Sequence, residues 1–482
     1  MNGRDPEYEE RLRRVRTRLV DAQARLREQG ETAFAIELGG DDRAGVHRLT
    51  KRLFEWMDAH YMDAHVQGRP RGEERKQPSL GRMWRDCPRA GRGTVFVRSA
   101  AHNALAERVR GRLKRKRFER ELEHIRQLEM MFAREGVKLV KLWLTVSPKE
   151  HRRRSESLGD LDHWRQKQMD RALVRDLEDG GEVARAVRSA TDHEDAPWHL
   201  LDGQNPRERD LIAAEIIATA LDEAAEGRTA ANDDVDLPPA PADASRRVEE
   251  LFFPEGLVHE VPDEATYHDR LRRLRAEITE RAIESLRDDP ATVVVVEGWD
   301  ASGKGGAIRR ALPALDPGFF RVVPTAAPDA VERAYPYLWR FWRDLPLPGH
   351  ITFFDRSWYG RVLVERVEGS ATEAEWKRAY DEIIDFEDQL LEAEMRVVKI
   401  WMEVSDEEQL RRFKCREELP EKRHKIAPEH WRNREKRTEY EEAIREAIAR
   451  TDRPSARWNV IGAENKRAGR LRFLEILRDA LG

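Results

Sequence analysis

Cysteine is scarce in this chain, and long apolar runs are missing. Cys87 and Cys415 are the only cysteines among 482 residues, and they form no C-x-x-C pair. This composition excludes a disulfide framework and predicts a reducing, cytoplasmic environment. No segment approaches the ~18 consecutive apolar residues of a membrane-spanning helix. The charged N-terminus lacks the apolar core of a secretion signal, so neither membrane insertion nor export is expected.

An excess of charge of one sign is also missing. Charged residues make up 37% of the chain and hydrophobic residues 39%, but the formal net charge is −4. This balance argues against a protein that coats nucleic acid through its overall field, so polyanion binding would need a local basic groove. The length exceeds what one hydrophobic core normally organises and predicts two or three domains.

The chain contains the same domain twice. Corresponding positions recur at one offset (298 − 40 = 258), and they include glycines, tryptophans and charged residues: Gly298 with Gly40, Trp342 with Trp84, Arg356 with Arg98, Glu365 with Glu107 and Trp401 with Trp143. A constant offset over so many positions is not expected by chance, so a tandem duplication is predicted. A Pro-, Ala- and Asp-rich stretch separates the copies. The predicted division is a degenerate domain at 1–228, a linker at 229–246 and an active domain at 247–482.

Within each copy, short apolar strands alternate with amphipathic helices. In the second copy, strands are predicted at 292–296, 351–355, 397–404 and 458–461, and helices at 373–394, 407–416 and 466–481. This alternation predicts an α/β fold with a parallel sheet covered by helices on both faces. The loops at the carboxyl ends of the strands should then converge on one site.

The second copy carries the pattern G-x-x-x-x-G-K at 298–304, directly after a valine-rich strand. The pattern is typical of a phosphate-binding loop (Walker A), in which backbone N–H groups and a helix N-terminus face the anion and Lys304 adds a charge. The loop residues expected to hold phosphate or nucleotide are Gly298, Ser302, Gly303, Gly305 and Gly306. A glycine-rich turn with a solvated Lys304 is the alternative.

The expected metal ligands are carboxylates. The position after the lysine, where a Ser or Thr hydroxyl usually binds Mg²⁺, is Gly305. Asp300 lies inside the loop, and Asp355 ends the apolar strand 351–355, where phosphoryl-transfer folds place a second metal-organising acid. Asp355 would also suit a helix N-cap.

Two arginines and a tyrosine follow Asp355. Guanidinium groups match phosphate oxygens, so Arg356 and Arg361 are expected to contact phosphate. The alternative for both is an ion pair with Glu365 or Glu368. Tyr359 is grouped with the phosphate- and nucleotide-binding residues, with simple packing as its alternative.

A basic segment at 411–425 leaves a predicted helix and turns at Pro420. It is predicted to form a lid over phosphates, with a solvated charged face as the alternative. The lid residues expected to bind a polyanion are Arg412, Arg416, Lys422, Arg423 and Lys425. The first copy is nine residues shorter here, and it has Val46 and Val97 at the positions of Lys304 and Asp355. It is therefore predicted to keep the fold and to have lost the chemistry.

Together these motifs resemble the polyphosphate kinase type 2 family. The loop G-x-D-x-x-G-K-G-G occurs at 298–306, F-D-R-S-W-Y-x-R at 354–361 and E-R-V-x-G at 365–369. The resemblance implies a P-loop kinase-like fold and transfer of the terminal phosphoryl group of inorganic polyphosphate to a nucleotide, with Mg²⁺ or Mn²⁺ and without a covalent enzyme intermediate. It implies that Asp300 and Asp355 organise the metal. Two fused domains with one intact loop resemble the subgroup that converts AMP to ADP.

In this interpretation the loop and the metal hold the nucleotide phosphate, and polyphosphate lies along the lid cations. The alternatives are a polyphosphate-dependent ADP or GDP kinase, an ATP-dependent small-molecule kinase, and a polyphosphate-binding protein without catalysis. No nucleic-acid or membrane partner is expected. A homodimer of the fused chain is compatible with the sequence but is not required by it.

Overall fold

The computed structural model describes most of the chain. The described residues are 5–156, 176, 181–227, 237–240, 242–252, 260–288, 290–418 and 428–482. Within these ranges, no helix is both long enough and apolar enough to cross a bilayer.

Two five-stranded parallel sheets form the framework. The first contains β1 Ala33–Gly40, β2 Met62–Val66, β3 Gly93–Val97, β4 Val137–Thr145 and β5 Trp198–Asp202. The second contains β6 Thr292–Gly298, β7 Phe320–Pro324, β8 Ile351–Asp355, β9 Arg396–Glu403 and β10 Trp458–Gly462. The strand orders are β2-β3-β1-β4-β5 and β7-β8-β6-β9-β10. The two orders correspond, so the repeat in the sequence is a repeat of topology.

Helices connect the strands in both halves of the sequence. The first half contains α1 Pro6–Gln29, α2 Val46–Trp56, α3 Gly81–Arg85, α4 Ala100–Val109, α5 Arg115–Arg134, α6 Pro148–Glu156, α7 Glu182–Thr191 and α8 Pro206–Ala225. The second contains α9 Ala242–Leu251, α10 Glu264–Asp288, α11 Lys304–Ala311, α12 Trp339–Trp342, α13 Val364–Glu368, α14 Glu373–Glu392, α15 Asp406–Glu418, α16 Pro428–Glu435, α17 Arg437–Thr451 and α18 Lys466–Leu481. The helix α9 begins inside the segment predicted as a linker.

The described residues belong to two compact units. One comprises residues 1–71, 79–231 and 328–340, and the other comprises 72–78, 232–327 and 341–482. Each unit has its own apolar core, formed around the central strand of its sheet. In the second unit, Val294 and Val296 of β6 pack with Ile308 of α11 and Leu474 of α18.

Each sheet also buries a lysine that is ion-paired. The Nζ of Lys399 donates to Glu387 at 2.9 Å, and the Nζ of Lys141 donates to Glu129 at 2.6 Å. Both lysines are fully buried, so their charges depend on these partners. Since both copies keep the pair, it belongs to the fold rather than to the chemistry of one copy.

The predicted fold class is confirmed as two tandem α/β domains with parallel sheets. The predicted strands of the second copy all occur, with end positions shifted by at most two residues. The sequence did not reveal β7, a half-exposed strand at the edge of the sheet with a weaker apolar pattern. Glu418 ends the described part of the predicted lid helix, and the segment 419–427 lies outside the described residues.

Candidate active site

The loop between β6 and α11 follows the backbone geometry that its glycines allow. Gly298 has φ 144° and Gly303 has φ 114°, both in the left-handed half of the map. A Cβ on Gly298 would collide with the carbonyl oxygen of Met402 on β9, so only glycine fits there. The helix α11 begins at Lys304, directly after Gly303. Its N-terminal N–H groups therefore face the loop, as anion binding requires.

Lys304 lies among the charged residues of the loop. Its Nζ donates to the carbonyl oxygens of Gly298 at 2.6 Å and Trp299 at 3.1 Å. Removal from water and the nearby charge of Arg356 lower the pKa of Lys304, whereas Asp300 and the neighbouring carboxylates act in the opposite direction. The ammonium is thus held at the loop by carbonyls and carboxylates.

Asp300 is fixed from several sides. Arg356 donates to its Oδ1 at 2.6 Å, and Asn433 of α16 donates to its Oδ2 at 3.1 Å. The amide of Gln409 on α15 binds its backbone carbonyl at 3.1 Å. Burial opposes the charge of Arg356, but Asp300 and two further carboxylates outweigh it and raise the pKa of Arg356. Asn433 and Gln409 escaped the sequence analysis because neither belongs to a recognisable motif.

Asp355 stands at the end of β8, beside the first turn of α11. Its Oδ2 would lie 3.4 Å from a Cβ placed on Gly305, so glycine gives the carboxylate room there. The next residue, Arg356, has φ 67°, and Arg98 at the same position of the first copy has φ 58°. Because both copies adopt this strained turn, it is a property of the strand end and not of the catalytic residues alone.

An aromatic and acidic group supports the loop from the β9 side. The indoles of Trp299 and Trp401 donate to the two carboxylate oxygens of Glu403 at 2.9 and 2.7 Å. The guanidinium of Arg437 stacks over Trp299, 4.1 Å from its ring centre. Burial raises the pKa of Glu403 to about 7. This group fixes the loop residue that precedes Asp300.

The acidic residues fit a metal that is shared with a substrate. The described residues contain no group of three or more His, Cys, Asp or Glu side chains that would hold an ion alone. Asp300 and Asp355 both act on the charge of Lys304, so both carboxylates face the same region. Two carboxylates completed by substrate phosphates and water are a donor set that suits Mg²⁺.

The comparisons identify the family. The model of polyphosphate kinase 2 matches residues 3–229 and 262–482. The chain belongs to the polyphosphate kinase 2 family.

Relatives in this family match over nearly the whole chain. A polyphosphate:AMP phosphotransferase of Pseudomonas syringae pv. tomato is 36% identical, covering 99% of this chain and 96% of that protein. A protein of the same name from Pseudomonas aeruginosa is 35% identical, covering 98% and 95%. A solved structure from Pseudomonas aeruginosa, described as polyphosphate kinase 2, has a TM-score of 0.83 at 34% identity and covers 99% of this chain and 96% of that chain.

The first copy of this polyphosphate kinase 2 chain has a loop filled by its own side chains. A Cβ on Gly45 would collide with the guanidinium of Arg209, which is 2% exposed and donates to the carbonyl of Ala44. In addition, His151 binds Asp41 at 2.7 Å. The second copy has Gly469 at the position of Arg209 (469 − 209 = 458 − 198 = 260). The copy that has lost the lysine and the aspartate by substitution is therefore also the copy whose loop is filled by its own side chains.

Arg412 corrects one part of the predicted lid. Its guanidinium is 3% exposed and donates to the carbonyls of Ala301 at 2.9 Å, Ser302 at 2.8 Å and Ala463 at 2.5 Å. The predicted contact with polyphosphate is therefore wrong, because the donors of Arg412 are used to hold the loop. Arg154 of the first copy donates to the equivalent carbonyls, among them that of Gly203 at 2.9 Å.

The remaining lid residues divide into two groups. Arg416 is half-buried. The carboxylate of Asp300 is the acidic group whose charge acts on Arg416, so Arg416 lies beside the site. The predicted lid residues Lys422, Arg423 and Lys425 lie outside the described residues.

Tyr359 and Arg361 have protein partners of their own. Tyr359 is fully buried, its hydroxyl donates to Glu387 at 2.7 Å and accepts from Lys399 at 3.2 Å, and burial raises its pKa. The prediction that Tyr359 contacts phosphate is therefore wrong, because its hydroxyl belongs to the buried lysine network. Of the two roles considered for Arg361, the structure shows the ion pair, at 3.1 Å from Glu365.

Proposed function

We propose that this chain transfers the terminal phosphoryl group of inorganic polyphosphate to AMP, giving ADP and a polyphosphate shortened by one unit. The observation that carries the proposal is the convergence of Lys304, Arg356, Asp300 and Asp355 on one phosphate loop. The names of the relatives that match the full length of the chain support polyphosphate as donor and AMP as acceptor.

The reaction requires that the two substrates be aligned and that the charge on the transferred phosphoryl group be neutralised. It does not require a general base. An oxygen of the AMP phosphate attacks the terminal phosphorus, the bridging P–O bond breaks, and its electron pair leaves with the shortened chain. The second pKa of a phosphate monoester is about 6, so the attacking oxygen is already ionised at neutral pH. No residue has to remove a proton, and no covalent enzyme intermediate is needed.

The described residues supply these requirements. Lys304 and Arg356 would neutralise the charge that spreads over the transferred phosphoryl group. Asp300 and Asp355 would hold Mg²⁺, or Mn²⁺ in its place, which supplies further positive charge to the phosphate oxygens when bound. Asn433 and Gln409 would keep Asp300 in position. We also propose that the enzyme acts in the cytoplasm, where its two cysteines, both free in the structure, stay reduced.

An ADP or GDP acceptor is the main alternative. An ADP-polyphosphate phosphotransferase of Rhizobium meliloti is 37% identical, but over 44% of this chain. A GDP-polyphosphate phosphotransferase of Corynebacterium glutamicum is 36% identical over 45% of it. The polyphosphate:AMP phosphotransferases match both copies, and this favours AMP.

A substrate panel tests the proposal. Purified protein with Mg²⁺ and polyphosphate is offered AMP, ADP, GMP and GDP in turn, and the products are separated by chromatography. ADP formed from AMP should be the main product, and ATP should not replace polyphosphate as donor. Turnover with ATP alone would indicate an ordinary nucleotide-dependent kinase. Asp355→Asn should abolish turnover while polyphosphate still binds, which separates catalysis from simple binding.

A further inference from the structure

The beginning of α11 and the beginning of α18 bring together cations that lack acidic partners. Among the described residues, none of the following four side chains forms an ion pair: Arg309, Arg310, Lys466 and Arg470. Other arginines on α18 are paired, since Arg467 lies 3.2 Å from Glu264 and Arg472 lies 3.3 Å from Glu475. The unpaired charges are thus confined to the side of α18 that meets the phosphate loop.

Arg470 is the member of this basic cluster nearest the loop. Its Nη2 and Nε would lie 3.6 and 3.9 Å from a Cβ placed on Gly306, in the first turn of α11. Arg309 extends from the next turn of α11, with its Nε 3.1 Å from the carbonyl of Gly305. The guanidinium of Arg470 is therefore next to the first turn of α11, whose N–H groups themselves favour an anion.

The closeness of like charges in the cluster disfavours the charged forms of its members. Burial and then the charge of Arg310 lower the pKa of Arg470, and Arg309 adds to this effect. Burial and the charges of Arg412 and Arg470 lower the pKa of Lys466, and the carboxylate of Glu408 counteracts them only in part. Like charges in contact destabilise a fold unless an anion offsets them. A bound multivalent anion would therefore stabilise the cluster.

At the corresponding position, the first copy has an acidic residue instead of an unpaired arginine. Asp210 stands at the position of Arg470 (470 − 210 = 260), accepts a hydrogen bond from Arg209 at 2.9 Å and forms an ion pair with Arg48 at 3.4 Å. Arg48 itself corresponds to Gly306 (306 − 48 = 258). In the copy with an occluded loop an aspartate pairs with the arginines, whereas in the copy with an open loop an arginine takes the place of that aspartate.

We propose that Arg470, Lys466 and Arg309 form a subsite for the polyphosphate chain, holding phosphates that continue from those bound at the loop. This inference rests on polyphosphate as the donor, as proposed above. It reverses the expectation from the sequence, because polyphosphate would lie on the loop and α18, and the nucleotide would lie on the side of Asp300 and Asn433. An extended chain of anions suits a row of cations better than a mononucleotide does.

Kinetics of charge variants test the subsite. Arg470→Gln and Arg470→Asp, which introduces the residue of the first copy, should raise the KM for long-chain polyphosphate by about tenfold or more, the effect of losing one charge-assisted contact. The KM for AMP should stay within about twofold of that of the unaltered enzyme, and tripolyphosphate, which offers fewer phosphates to the subsite, should be affected less. Arg472→Gln on the same helix is the matched control, and thermal unfolding checks the fold of each variant.

Two outcomes would overturn the subsite. One is an unchanged KM for long-chain polyphosphate in both Arg470 variants, and the other is a raised KM for AMP in its place. If the unaltered enzyme does not use polyphosphate at all, the proposed function fails separately. Calorimetric titration of polyphosphate into Arg470→Gln and the unaltered protein then still decides the inference, because equal affinities would refute the subsite.

Discussion

The side-chain amide of Asn433 donates to one oxygen of Asp300 at 3.1 Å, while Arg356 holds the other oxygen at 2.6 Å. The carboxylate is therefore fixed in its plane by residues from two different segments. Arg356 follows the strand β8, and Asn433 belongs to α16, on the far side of the segment predicted as a lid. The position of Asp300 therefore depends on α16 as well as on the turn that follows β8.

Removing the amide of Asn433 should impair turnover more than stability. Asn433→Ala leaves Asp300 with one side-chain donor fewer, which we expect to lower kcat by about tenfold, since one hydrogen bond to a charged group contributes roughly 1.5–3 kcal/mol. Steady-state kinetics with AMP and polyphosphate measure the effect. Glu435→Gln, an exposed position on the same helix, is the control and should be near the unaltered enzyme. Equal kinetics for both variants would show that Asn433 does not position Asp300.

Arg412 should behave as a structural residue of the loop. Arg412→Lys cannot reproduce a fork that donates to carbonyls on two loops, so we expect both a lower melting temperature and lost activity. Arg154→Lys in the first copy is the matched variant, because Arg154 makes the equivalent bonds around an occluded loop. It should destabilise its unit to a similar extent and leave the KM for polyphosphate unchanged. A fully stable Arg412→Lys variant with only a raised KM for polyphosphate would instead support a direct contact.

The case of Arg412 shows what the sequence could and could not reveal. A run of cations after a helix suggested a lid, but the pair Arg153-Arg154 occupies the same place in the copy that has lost Lys304. Retention in both copies is the mark of a residue that the fold requires. The same reasoning applies to Lys141 and Lys399, whose repetition in the sequence reflects a buried ion pair in each sheet.

Other parts of the site depend on tertiary approach. The loop, Asp300 and Asp355 were predictable because each follows a strand of a parallel sheet, and the carboxyl ends of such strands meet. Asn433 and Arg470 reach the loop from helices far along the chain, and their own sequence contexts are ordinary. The occlusion by Arg209 was visible only as its replacement by Gly469, and a single sequence does not show that this position faces the loop.

Tyr359→Phe should test the buried role of the tyrosine hydroxyl. The variant removes one partner of Glu387 and of Lys399 but leaves the ring in place. We expect a loss of about 1–2 kcal/mol in the free energy of unfolding, as for a buried hydrogen bond, and KM values for both substrates within about twofold. Urea unfolding and steady-state kinetics measure the two quantities. If either KM rose strongly while the free energy of unfolding stayed unchanged, Tyr359 would instead be assigned to the substrate site.

The buried carboxyl of Glu37 should make the first unit less stable as the pH rises. Burial raises its pKa to about 8, against 4.5 for an ordinary glutamate. Between these values the folded protein keeps a proton that the unfolded chain has released, so the free energy of unfolding falls as the pH rises from about 4.5 to 8. Glu37→Gln removes this titration and should flatten the pH dependence in urea unfolding, whereas the exposed control Glu28→Gln should not. An unchanged slope in Glu37→Gln would show that Glu37 titrates normally.

Restoring the two lost catalytic residues should not revive the first copy. In a chain inactivated by Lys304→Ala, the double change Val46→Lys and Val97→Asp should give no turnover, because the guanidinium of Arg209 still lies at the loop beside Gly45. It should also lower the melting temperature, since Val46 is 1% exposed in an apolar cluster and a lysine charge there would lose its hydration. Val46→Met, which keeps the site apolar, is the control. Turnover by the double variant with Arg209 in place would refute the view that this arginine blocks the loop.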